Sequence, residues 1–199
     1  MNKDVFGRSA ATGAAPRAWH IPQGWTVALG KALICGFIIL NLVLIALRTD
    51  LSIREDPIST YLTGPHRGLA VLAFVLLSAG TALLAYAVNT LTPAPPMKLT
   101  ICLAVYSAGV LIAGVTPPDS PTHAAGALTA FAVVPLAALA SNFGARIWWF
   151  AVIVSSFATW PILHFGLGER LTVLLELALL LLLRQRPRRR PDAVSARAS

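Results

Sequence analysis

Residues 54–68 read REDPISTYLTGPHRG and gather Arg54, Glu55, Asp56, His66 and Arg67 between two long apolar runs. Two further stretches are as rich in ionisable groups. TPPDSPTHAAG, residues 116–126, carries Asp119 and His123, and HFGLGERLTVLLE, residues 164–176, carries His164, Glu169, Arg170 and Glu176. A carboxylate beside an imidazole can serve as a general acid–base pair. Asp119 and His123 also have the donor types of a zinc site, but Pro121 lies between them and no His-x-x-x-His occurs. His66, His123 and His164 are the candidates for haem ligation. Ser59 and Ser120 are candidate nucleophiles, without a Gly-x-Ser-x-Gly elbow around either. Walker and dinucleotide fingerprints are absent from the sequence. The ligand-binding set expected from these stretches is Arg54, Asp56, Ser59, Asp119, His123, Glu169, Arg170 and Glu176. No metal and no other cofactor is assigned.

Glu176 is the sharpest of these signals. It follows Glu169 by about two helical turns, so the two carboxyls share a face. At 1.5 Å per residue it lies roughly 10–12 Å inside its apolar run. A carboxylate at that depth costs several kcal/mol unless it is paired or protonated. Asn41, roughly 9 Å inside the first run by the same rise, is the expected partner. Arg170 is expected to face Asp56 or Glu55, and Arg54 to face Asp119 or Glu169.

The elements that must hold these groups are apolar throughout. The 199 residues are 56% hydrophobic and 12% charged, with mean hydropathy +0.71. A soluble domain carries about twice that charge. Six runs stand out, Val27–Leu47, Gly68–Leu91, Met97–Val115, His123–Phe143, Ala145–His164 and Leu167–Leu183. Each is long enough to cross a bilayer core of ~30 Å. Lipid offers the backbone no hydrogen-bond partner, so each run is expected to be a helix. The organisation is then a flexible segment over 1–26, a six-helix transmembrane domain over 27–183 and a basic, disordered tail over 184–199. Cys35 and Cys102 fall inside apolar runs and read as buried hydrophobes.

With six spans the termini share a side. Arg48, Arg54, Arg67 and Arg170 fall on the opposite side, against the remaining twelve of the 16 Lys and Arg residues. The positive-inside rule then places both termini in the cytoplasm, in an inner or plasma membrane. Asp50, Glu55, Asp56, Asp119 and Glu169 then all land at outer ends of spans or in outer loops, with Glu176 inside the sixth span. Membrane lipid is the partner this implies. The basic tail, a topology anchor that can also touch anionic lipid, specifies no nucleic acid. No protein partner is specified.

DPISTYLTGP after the first run, PPDSPTHAAGALTAF into the fourth and GLGERLTVLLELALLLLL at the last resemble the bacterial and archaeal membrane family called domain of unknown function 998. The middle motif departs from that family's His-Gly pattern, reading THAAG. The resemblance spans residues 28–183 and implies six spans and a polar cluster on the outer face, with no activity attached. The expectation is an all-α bundle of six membrane helices with an outward pocket for a lipid or small polar ligand. The competing readings are a membrane hydrolase of lipid head groups using the same cluster, and a non-catalytic subunit of a membrane complex.

Overall fold

The computed structural model describes residues 23–91, 96–141 and 145–183. They form six α-helices, α1 (Gln23–Leu47), α2 (Arg67–Leu91), α3 (Met97–Val115), α4 (Pro121–Ala140), α5 (Arg146–Phe157) and α6 (Phe165–Leu182), with a short 3-10 helix at Ile58–Leu62. Among the described residues there is no strand. The lead-in before residue 23 and the tail after residue 183 lie outside the described residues, as do the flexibility and disorder expected of them.

Helices α1 to α4 are long and apolar enough to cross a membrane. Their outward faces are apolar too. Leu42, Leu72, Ile101 and Leu128, one from each, are exposed. Apolar surface of that extent on every long helix suits lipid rather than water. The last two runs differ from expectation. Instead of a helix from Ala145 to His164, α5 has 12 residues, about 18 Å of rise. The chain then turns over 158–163, where Pro161 cannot donate to a continuing ladder. Helix α6 has 18 residues and contains Glu169, Arg170 and Glu176.

Helices adjacent in sequence pack against one another, whereas α1 and α6 barely meet. Their one described polar tie is Lys31 Nζ donating to the Leu181 carbonyl at 2.5 Å. Lipid tails are as apolar as leucine, so close helix contact depends on small residues and internal hydrogen bonds. Both devices are present. A Cβ on Gly126 would stand 2.8 Å from the Gly109 carbonyl oxygen and 2.9 Å from the Ala113 nitrogen, so α3 and α4 touch backbone to backbone. Gly30 and Gly80 do the same for α1 and α2. Ser78 and Ser107 each donate to the other's carbonyl at 2.9 Å, stitching α2 to α3.

Gly126→Leu is therefore expected to force α3 off α4 and destabilise the protein by about 1–3 kcal/mol, the usual range for overpacking. Gly68→Ala, whose Cβ would meet nothing within 4 Å, is the control and should be neutral or mildly stabilising. Thermal unfolding in detergent separates the two; equal midpoints would refute backbone contact between α3 and α4.

Candidate functional site

One end of the bundle carries the C-termini of α1 and α3 and the N-termini of α2, α4 and α6. The chain between α1 and α2 folds over it. Arg48, just past α1, anchors this segment. It donates to Asp50 at 2.8 Å and to the Thr63 carbonyl at 2.6 Å. The Asp50 hydrogen bond raises the Arg48 pKa further, and the same bond holds the Asp50 carboxyl below its ordinary range. Gly64 then turns with φ +69°, beneath the Arg48 guanidinium.

The N-terminal turns of α6 grip the other half of the segment. Gly166 lies so close to Asp56 that a Cβ would stand 2.5 Å from its carbonyl oxygen. That approach lets Arg170 Nη1 donate to the carbonyls of Asp56 at 2.6 Å and Ile53 at 2.9 Å. Arg170 Nη2 reaches the Tyr61 hydroxyl at 3.3 Å. Glu169 accepts the Ile58 N–H at 2.8 Å, deep in the fold. It thereby satisfies the first donor of the 3-10 helix, where Pro57 offers no side-chain cap.

Beneath this roof lies a cavity of ≈ 60 Å³, counted as space for the centres of water-sized molecules. Its polar lining is Ser59, Tyr106, His123, Glu169 and Glu176. His123 Nδ1 lies 2.8 Å from the Ala113 carbonyl oxygen. A carbonyl can only accept, so Nδ1 carries a proton in this contact. The His123 N–H is capped by Ser120 Oγ at 3.1 Å. Ser120 is thus the N-cap of α4, and Pro121 takes the first helical position that suits it. Glu176 is 1% exposed, and its Oε1 has no hydrogen-bond partner.

A second recess, lined by Asn41, Ile45, Arg170 and Leu174 among others, opens between α1 and α6. It shares Phe37, Ile58 and Val173 with the first cavity.

The expected set divides. Ser59, His123, Glu169 and Glu176 converge on the cavity, and Arg170 and Asp56 build its roof. Arg54 and Asp119 are exposed and line neither space. The expected ion pairs are replaced. Arg170 binds the Asp56 carbonyl rather than its carboxylate, which instead accepts from the Ser52 N–H at 2.7 Å. Glu55 pairs with His164 at 2.9 Å. Asn41 does not reach Glu176, since its amide donates to the Phe37 carbonyl of its own helix at 2.9 Å. Zinc at Asp119 and His123 is not supported: one is exposed and the other buried against Ala113. Among the described residues no three His, Cys, Asp or Glu side chains are grouped to hold a metal. One residue escaped the sequence reading as part of the site, Arg48, while Tyr106 lines the cavity at the depth its place in the third run implies. No family model, curated protein or solved structure matches the chain.

Two outcomes follow. Glu169→Ala leaves the Ile58 N–H buried and bare, so a loss of about 1–3 kcal/mol is expected. Glu169→Gln keeps an acceptor and should lose much less; equal losses in chemical denaturation would refute the capping role. The Asp50 contribution is present at neutral pH and lost as pH falls through its lowered folded value. The stability gap between the parent and Asp50→Asn should therefore close on acidification; a gap constant from pH 7 to pH 3 would show that the Arg48 clasp does not depend on the Asp50 charge.

Proposed function

We propose that the chain is a multi-pass integral membrane protein that binds an amphipathic or small polar ligand in the cavity between the 50–62 segment, α2, α3, α4 and α6. In this reading α5 with its following turn and α6 complete six spans. The termini are cytoplasmic and the cavity faces outward across the inner or plasma membrane. The excess of basic residues on the terminal side supports that orientation. The likeness to the domain of unknown function 998 proteins belongs to the same proposal and rests on the three stretches quoted above.

The observation that carries the ligand reading is Glu176. A buried carboxyl with an unpartnered oxygen is costly. As helix glue it would be bonded across to another helix, yet here it faces open space. A ligand in the cavity would supply the missing partner. The recess between α1 and α6 gives such a ligand a lateral neighbour to the bilayer, where an acyl chain fits. The hydrolase reading is weaker. Among the described residues Ser59 makes no hydrogen bond to His123, and a nucleophile needs its base within reach.

Retained ligand is the test. Protein purified gently should carry a small amphipathic molecule near one per chain by native mass spectrometry. Ala127→Phe, which fills the cavity from its wall, should lose it while remaining monodisperse. Identical bound species in both proteins would sink the pocket reading. For orientation, single cysteines at Thr63 and Asp119, both exposed, should react with an impermeant thiol reagent on intact cells in a background lacking Cys35 and Cys102. A cysteine at Ser195 should be silent; labelling at Ser195 alone would invert the topology.

A further inference from the structure

The cavity's lining also restricts what can occupy it. Five side chains offer polar atoms, and two of these are carboxyls, Glu169 and Glu176. Among the described residues no lysine or arginine lines the space. Aromatic rings share the lining, Phe37, Phe74, Tyr106 and Phe131. Aromatic rings and carboxyl oxygens lining one space suit a cation, which ring quadrupoles and carboxyl oxygens both attract. An anion would meet two acids and no counter-charge. A neutral alcohol could bond Glu176 Oε1 but would gain nothing from the rings.

We infer that the cavity's ligand is an organic ammonium group. This rests on the pocket reading above and names its ligand class. The ammonium N–H groups find acceptors at Glu176, whose Oε1 is free, and at the cavity oxygens around it. Its charge lets a buried carboxyl ionise where no lysine or arginine of the described residues lines the space, since buried charges persist where they are paired. Size limits the head. One water occupies ~10–15 Å³ on this measure, so ≈ 60 Å³ accommodates roughly four to six non-hydrogen atoms. The rest of the molecule must leave through the roof or through the recess that shares Phe37, Ile58 and Val173 with the cavity. A free amine and the amino head group of a lipid both fit that description.

The test uses the full chain in nanodiscs of phosphatidylglycerol, a lipid without nitrogen, titrated with n-butylammonium, 1-butanol and butyrate by calorimetry. Butylammonium should bind at least tenfold more tightly than butanol, and butyrate should not bind. Glu176→Gln should remove the butylammonium preference, and Ala127→Phe should remove binding of both. Equal binding of butylammonium and butanol, lost in Ala127→Phe, would overturn the ammonium assignment and leave the pocket intact. No binding of any probe would overturn both. A butylammonium preference unchanged in both variants places the amine elsewhere and overturns the assignment. Should Glu176→Gln not fold, Glu169→Gln gives the second charge-removing variant, and an unchanged preference there with binding kept in Ala127→Phe overturns it equally. With the preference established, phosphatidylethanolamine added to the nanodisc either weakens the apparent butylammonium affinity, which supports the assignment with lipid as source, or leaves it unchanged, which supports a free amine.

Discussion

The hydrogen bond from the Ile58 N–H to the Glu169 carboxyl is the contact on which this end of the molecule depends. Residues 48–66 must cross the top of a helix bundle, where a backbone donor turned inward has no water to bond. Pro57 cannot cap the 3-10 helix with a side chain. The cap comes instead from a helix more than a hundred residues away in sequence. Gly166 makes the approach possible by leaving room for the Asp56 backbone, and Arg170 fastens it with carbonyl bonds. The segment becomes a roof rather than a loop, and a roof is what allows a cavity beneath it.

That arrangement uses charged side chains to satisfy backbone groups rather than one another. Arg48 binds Asp50 but also the Thr63 carbonyl, and Arg170 binds carbonyls and a phenol. Exposed ion pairs contribute little, about 0–1 kcal/mol. A guanidinium that gathers several carbonyls from an irregular segment does more, because one side chain then fixes several points of the backbone at once. Arginine suits this task better than lysine, since its rigid fork presents five N–H donors in one plane.

The sequence made part of this legible. The convergence of the three polar stretches, and the shared face of Glu169 and Glu176, followed from helical spacing and the alternation of spans. The α3 boundaries were read at the right residues because prolines bracket the helix. What failed were pairings that needed rotation as well as depth. Asn41 and Glu176 match in depth, but depth does not say which way a helix is turned. Asn41 points toward the recess and bonds its own helix, while Glu176 shares its cavity with Tyr106. Arg48 was counted as a topology charge, and nothing local marks it as the anchor of a segment ending fifteen residues later. Asp119 was drawn in by its neighbour His123, yet Ser120 and Pro121 start the helix between them and send the two side chains to different surroundings.

The short α5 bears on the same end of the molecule. The turn over 158–163 brings Trp160 back against α6, where Nε1 donates to Thr172 Oγ1 at 2.9 Å, and Ser156 meets the same hydroxyl at 2.8 Å. Trp160 also packs edge-on against Phe131 and Phe165, with centroids 5.4 and 4.8 Å away. Phe131 is a wall of the cavity, so the turn that interrupts the fifth apolar run supports the ring from behind. Thr172 lies on α6 between Glu169 and Glu176, and its bonds to Ser156 and Trp160 tie that stretch to α5. The stretch of α6 that carries the two acids is thus held by α5 and by the turn that follows it, and the departure from six uniform helices belongs to the construction of the site.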